Sequence, residues 1–514
     1  MGFCRNLKKA NDALHVKGIA KADADKTKSQ GSNNSIASDI KSLADFFYIK
    51  TVPSYGNNFF FTIGIYLLEI FAILAVTGII MLVFGPYWWN LTPAGNFMQS
   101  VHLWAAEAFV TLIFLHLFVN LSTSAFKKKK IVWLLGSLVL LIVLLEFAFG
   151  VGVNGNFISQ WNAKAGADLW NGLGFGYWIN PLNAGAVLGW HVGIIPILLV
   201  ILLLVHYLIV KQKGLSTPYR KDIPFSMVAA NHKKMYIRMI YILIIILIFA
   251  ALFKVPYIPP LTIQAAAQAY PNVVATTFLQ EFNFSSHTAT YFDSIDPYTF
   301  STRSVYVTIP YEKYIALTNA PNEENIVLAE NASAQNKTIS EAFNYFESNN
   351  SIANALNSTN PLVVVAASLT QMARQGVYEP VLQSESSSGL NYTFVIRFLS
   401  DTRILQKEAR TYGIRTSQWG MLAVGTYSIE KVSGYWLFPY NLMEIVTSSI
   451  SWWGDLQNGL VALIVFLVLM FLPYIPYLQD LPDKLGLYKL FWNRFTVPEI
   501  KKQRELEKKN KNKT

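Results

Sequence analysis

Four histidines lie inside two long apolar stretches, and this restricts the fold more than any other feature of the chain. His102 and His116 lie in VHLWAAEAFVTLIFLHLF (101–118), and His191 and His206 in GWHVGIIPILLVILLLVHYLIV (189–210). A helix turns about 100° and rises about 1.5 Å per residue. Spacings of 14 and 15 residues therefore return to within about 40° and about 60° of the starting face, some 21–22 Å further along. Each helix shows two imidazoles on nearly one face, at two depths of an apolar layer about 30 Å thick. Two such helices facing each other stack two bis-imidazole sites. Paired neutral imidazoles saturate an iron held between helices, the arrangement suited to haem-based electron transfer.

Composition agrees with a membrane setting. Of 514 residues, 53% are hydrophobic and 14% charged, the profile of a polytopic membrane protein. The lone cysteine, Cys4, excludes an internal disulfide framework and any multi-cysteine zinc or iron–sulfur site within the chain. The net charge of +11 resides in loops beside apolar spans, so it reports topology and anionic lipid rather than nucleic acid. The first 50 residues are polar, and no cleavable signal peptide is expected.

Apolar runs predict spans at 59–84, 98–121, 131–153, 186–210, a fifth ending near 253, and a sixth at 456–477. Pro86, Trp88, Trp89 and Pro93 are expected in an interfacial loop. Lys127–Lys130, the basic 211–238 loop and the Lys-rich tail alternate with loops poor in Lys and Arg. Both termini are therefore expected to be cytoplasmic, in a cell-membrane protein. The expected organisation is a basic arm at 1–50, a membrane core at 51–258, an extracellular insertion at 259–435, a segment with the sixth span at 436–480, and a basic tail at 481–514. In the insertion, RSVYVTIPY (303–311) and TFVIRFL (393–399) read as strands and SEAFNYFESNNSIANAL (340–356) as helix. The expected fold class is an all-α membrane bundle of six transmembrane helices, with a di-haem four-helix core and an inserted α+β extracellular domain. Sequons at Asn283, Asn331, Asn336, Asn349, Asn357 and Asn391 suggest that the insertion is glycosylated.

Glycines repeat the histidine period. Gly64 and Gly78 in the first span, and Gly136 and Gly150 in the third, are each 14 residues apart. A single glycine in a membrane helix is usually a packing contact. Two layers of them at the spacing of the histidines read as clearance for two flat macrocycles, with His102 and His191 holding the outer one and His116 and His206 the inner.

With these residues the chain resembles the cytochrome b subunit of the cytochrome bc family, in its chloroplast-like branch. The resemblance rests on the 101–118 segment with Phe126-Lys127-Lys128, the two glycine pairs, and HYLIVKQKGLSTP (206–218). It covers about 55–260 well, the sixth span tolerably, and the insertion not at all. The resemblance implies two haems, b-type or modified since the ligands do not choose the macrocycle. It implies outer quinol and inner quinone sites, a Rieske iron–sulfur partner taking the first electron, and a homodimer. The outer haem would be the low-potential one. Trp161 would line the quinol site, and the family's Pro-Glu-Trp-Tyr signature falls on Pro439-Tyr440-Asn441-Leu442. Asn154-Gly155 replaces the family's Pro-Trp pair, and Gln99 and Leu103 stand where an arginine is usual. An exterior insertion rich in Tyr, Ser and Asn suggests an archaeon living in acid.

Quinol oxidation releases protons, and a base must carry one outward. With the signature glutamate missing, Glu444 or Glu146 is expected to serve, with Tyr440 beside them. The opposing reading leaves Glu146 or Glu107 as an acceptor for a neighbouring helix. Glu69 is expected near the inner quinone site. Terminal oxidase subunits are expected partners if the chain stands in an oxidase supercomplex. Competing readings are a haem-free transporter or ectodomain anchor, and another quinone-linked di-haem b subunit such as a dehydrogenase anchor.

Overall fold

The computed structural model describes residues 49–176, 178–215, 226–255, 257–290, 300–348, 350–386, 389–412, 443, 446–447, 450, 455–491 and 505. Among these, five helices are long and apolar enough to cross a membrane: Phe59–Leu91 (α1), Pro93–Ser122 (α2), Lys130–Gly152 (α3), Ala184–Lys213 (α5) and His232–Leu252 (α6). Between α3 and α5 lies the short helix Phe157–Gly172 (α4). Helix α1 packs on α2, α2 on α6, and α3 on α5. Ile63, Leu67, Ile70, Ala105, Phe109, Val110, Leu140, Val143 and Leu199 fill the seam between them. Near the basic ends, Thr51–Pro53 (β1) pairs antiparallel with Met227–Ala229 (β2) and ties the chain before α1 to the chain before α6.

The expected interfacial loop at 86–93 is helical instead. Gly85 at φ 77° breaks α1, and a further turn and a half then runs from Pro86 to Leu91. Glycine accepts that backbone without strain, and proline suits a first helical position because it lacks the amide that would go unpaired. Thr92 then caps α2, its hydroxyl accepting from Gly95 N at 3.1 Å. Helix α5 carries a wide turn, Trp190–Ile194, that contains His191. Such π-turns bulge a helix locally and recur at functional sites.

Among its described residues the region after α6 is helical apart from one β-bridge between Asn391 and Asn183, which corrects the expected α+β insertion. Its helices are Ile263–Ala269 (α7), Pro271–Phe282 (α8), His287–Thr290 (α9), Ile309–Thr318 (α10), Glu323–Leu328 (α11), Ala332–Glu347 (α12), Ile352–Ala355 (α13), Pro361–Arg374 (α14), Tyr378–Glu385 (α15), Thr393–Asp401 (α16) and Ile404–Thr411 (α17). The 303–311 stretch is a π-turn, Ser304–Thr308, leading into α10, and 393–399 lies in α16. Val395, Ile396, Phe398 and Leu399 are all buried, because α4, α7, α9, α15 and α17 surround α16. The helix keeps an apolar face, but over so short a stretch its run of Phe, Val and Ile mimics a strand. Helix α14 is the axis of the domain, with Leu362, Val363, Val365, Ala366, Leu369 and Met372 buried against its neighbours. Phe157, Ala163 and Ala167 of α4 enter the same core.

The expected sixth span is shorter than 456–477. The helix Asp455–Met470 (α18) has 16 residues, about 24 Å at 1.5 Å per residue. Pro473 in the next turn, Leu472–Tyr474, stops it, and Leu481–Lys484 (α19) follows. Trp133 Nε1 donates to Leu469 O at 3.0 Å. Lys127 binds Asp480 at 2.6 Å and Asp483 at 2.8 Å, which fastens this segment to the loop after α2.

Candidate cofactor site

The histidines sit in two layers between α2 and α5, each layer flanked by one glycine of α1 and one of α3. A Cβ built on Gly78 would stand 3.4 Å from His102 Cε1, and one on Gly150 would stand 2.8 Å from His191 Cε1. In the other layer, a Cβ on Gly64 would lie 3.7 Å from His116 Cε1 and one on Gly136 would lie 3.2 Å from His206 Cε1. All four expected glycines therefore meet the four expected histidines, one to one, at the same ring atom.

The His102 and His191 ring centroids are 6.2 Å apart, with planes at 78°. A histidine nitrogen binds a metal at about 2 Å and stands roughly 1.1 Å from its ring centre, so two rings on opposite sides of one metal are about 6.3 Å apart. The observed separation fits that arrangement. Thr77 Oγ1 donates to Ile73 O at 2.8 Å and lies 2.8 Å from His102 Nδ1. With its own hydrogen committed, the hydroxyl accepts from Nδ1, leaving Nε2 as the unprotonated nitrogen, free to bind a metal. Across the layer, Glu146 Oε1 lies 3.0 Å from His191 Nδ1. The contact is close but not aligned as a hydrogen bond, and neither His191 Nδ1 nor Glu146 Oε2 has another partner.

The second layer borders a cavity at the basic end of the bundle, lined by His116, His206, Gly64 and Gly136. Phe60, Phe109 and Leu140 form its apolar walls, and Asn57, Lys129, Asn231, His232 and Arg238 bring polar groups to it. His206 Nδ1 is buried without a hydrogen-bond partner. Arg238 Nη1 donates to Asn57 O at 3.1 Å, and Lys129 donates to the carbonyls of Gly214 and Leu215. Burial, with Lys213 and Lys128 nearby, lowers the Lys129 ammonium to about 8.

Beyond the Gly150 end of α3, Asn154 gathers a polar cluster the sequence reading did not foresee. Its backbone carbonyl accepts from Asn90 Nδ2 at 3.0 Å, and its side chain accepts from Gln99 Nε2. Thr77 was missed as well, and its place directly before Gly78 is the signal that could have found it. Trp161 stands half-buried against the core of the helical domain through α4. Glu107 is buried in α2 with neither carboxylate oxygen hydrogen-bonded, and Glu69 in α1 has one such oxygen. Glu444, Tyr440 and Pro439 lie outside the described residues, as does Asn349 of the sequons. Asn283, Asn331, Asn336 and Asn357 are exposed, whereas Asn391 is half-buried and accepts from Thr393.

Residues 107–271 match the family described as Cytochrome b(N-terminal)/b6/petB. Cytochrome b6 of Heliomicrobium gestii is 28% identical over 197 residues, 32% of this chain and 89% of that protein. Cytochrome b6 of Mastigocladus laminosus is 26% identical over 203 residues, 35% of this chain and 94% of that protein. A chain of a solved structure described as a hyperthermophilic respiratory Complex III aligns with TM-score 0.35 and 15% identity, over 70% of this chain and 98% of that one.

Proposed function

We infer that this chain, a cytochrome b of the bc family, is the di-haem electron-transfer subunit of a quinol-oxidising membrane complex. The observation that carries this reading is the one-to-one meeting of Gly64, Gly78, Gly136 and Gly150 with His116, His102, His206 and His191. Packing alone gives helix glycines no reason to repeat the histidine spacing and face the same ring atom. A transporter has no use for that correspondence.

His102 and His191 would hold the outer group, and His116 and His206 the inner. When bound, two bis-imidazole haems supply one-electron carriers, one near each side of the membrane. Thr77 would fix the tautomer of His102, leaving Nε2 unprotonated and free to bind a metal. The glycines keep a side chain from the space a macrocycle edge needs. The quinol site lies at the outer end, near Asn154 and Trp161, with Pro439, Tyr440 and Glu444 in the segment before α18. A Rieske partner takes one electron of each quinol there. The cavity lined by His116, His206, Gly64 and Gly136 is the space the inner haem would fill, and the inner quinone would bind at the same end of the bundle. The helical domain is extracellular, glycosylated, and docks against the outer partners, while the termini are cytoplasmic.

The test is a reduced-minus-oxidised spectrum of the purified chain, with extracted pigment quantified per polypeptide. Two haems are expected, with H102A removing one and H116A the other. A well-folded chain carrying no haem would overturn the reading.

A further inference from the structure

We propose that Glu146 is a positioning residue for the outer site, its carboxylate held against His191 Nδ1 and thereby making that imidazole a more electron-rich ligand, so that the outer iron is held at a lower potential. The inference rests on the reading of His102 and His191 as haem ligands and adds a residue to it.

The two rings of the outer layer are treated differently. His102 Nδ1 faces a hydroxyl, Thr77 Oγ1, at 2.8 Å. His191 Nδ1 faces a carboxylate oxygen, Glu146 Oε1, at 3.0 Å. In the inner layer, His206 Nδ1 has no hydrogen-bond partner among the described residues. Glu146 stands four residues before Gly150, so the face of α3 that clears space for the His191 ring also presents the carboxylate. Among the described residues His191 Nδ1 has no hydrogen-bond acceptor and Glu146 Oε2 no donor. Two polar groups stranded at that depth are costly unless each satisfies the other.

An imidazole bound through Nε2 must keep its proton on Nδ1, and the acceptor of that proton sets how much electron density the ring gives the metal. A carboxylate draws the proton more strongly than a hydroxyl and adds a negative charge in a weakly screened interior. Both effects favour the oxidised iron over the reduced one. The same contact occupies the carboxylate oxygen nearest the layer, which places Glu146 in support of a ligand rather than against substrate.

The experiment is a redox titration of the haem-loaded chain at one fixed pH, followed optically, comparing wild type with E146Q. Glutamine keeps the length and the acceptor but removes the charge. The haem that H102A eliminates should move to a more positive midpoint, the other staying in place. A tenfold change in electron partition between them corresponds to about 59 mV. The low-spin ferric resonance of the same haem should shift as well, which a purely structural role would not cause. Two haems with both midpoints unmoved in E146Q would overturn the proposal while leaving the haem reading intact. If E146Q loses the outer haem, E146D decides: recovery supports the proposal, and loss in both variants makes Glu146 a packing residue and overturns it. Absence of haem from the wild-type chain removes both.

Discussion

At the scale of single residues, the four glycines differ in how closely they meet their histidines, and this grades their substitution. An added methyl would stand 2.8 Å from the ring at Gly150, 3.2 Å at Gly136, 3.4 Å at Gly78 and 3.7 Å at Gly64. Real contacts of a Cβ almost never fall under 3.0 Å, so G150A has to displace His191 or α3, whereas G64A adds an ordinary contact. Forced overpacking costs about 1–3 kcal/mol. Haem retained per polypeptide is expected to fall in the order G64A, G78A, G136A, G150A, with the outer haem lost in the last. Equal retention across the series would show that the clearance is not used. The 14-residue glycine period was legible in the sequence. Which glycine is tightest was not, because tenths of an ångström depend on how α3 leans on α5.

At the scale of elements, the helical domain is tied to the membrane core through α4. Arg397 of α16 donates to Asp168 of α4 at 3.0 Å, and its side chain is only 5% exposed. Removing one partner of a buried ion pair typically costs about 3–5 kcal/mol. Asp168 is 26% exposed and also held by Lys164, so R397A should cost less, about 2 kcal/mol. Limited proteolysis with thermal melting is expected to show the domain opening earlier in R397A while both haems remain bound. Unchanged melting would mean the apolar seam of Phe157, Ala163 and Ala167 carries the junction alone. Nothing in the sequence marked this pair, since Asp168 and Arg397 are 229 residues apart. The misread strands belong to the same scale: in a short run rich in Phe, Val and Ile the strand and helix patterns look alike, and only the surroundings decide between them. The span carrying His102 and His116 was readable because its helix places two polar rings at defined depths in an otherwise apolar run.

At the scale of the whole molecule, the helical domain encloses an acid pair that makes its stability depend on pH. Glu281 of α8 and Asp401 of α16 are buried, and Ser286 Oγ and Thr288 N donate to one oxygen of each. The other oxygens, Glu281 Oε1 and Asp401 Oδ2, have no donor. Burial first, then the Asp401 charge, pushes the Glu281 carboxyl well above the usual carboxylate range. The folded domain therefore holds a proton that the unfolded chain releases above about pH 4.5. Stability is complete below that value and falls as pH rises from there towards the folded-state value. Thermal melting of the wild-type domain should thus be highest in acid and decline towards neutrality, and E281Q should flatten the slope. A melting temperature that rises over the same range would contradict this.

The sequence alone determined the membrane bundle, the two layers of histidines and the glycines that face them. Each of these follows from repeat distances along a single helix, and helical geometry turns such distances directly into depth and face. The tertiary structure alone decided that the described part of the insertion is chiefly helical, that α4 belongs to its core, that Gly85 breaks α1, and that Thr77 and Glu146 stand behind His102 and His191. These depend on which elements come to lie side by side, and proximity between distant segments leaves no period in the chain to read.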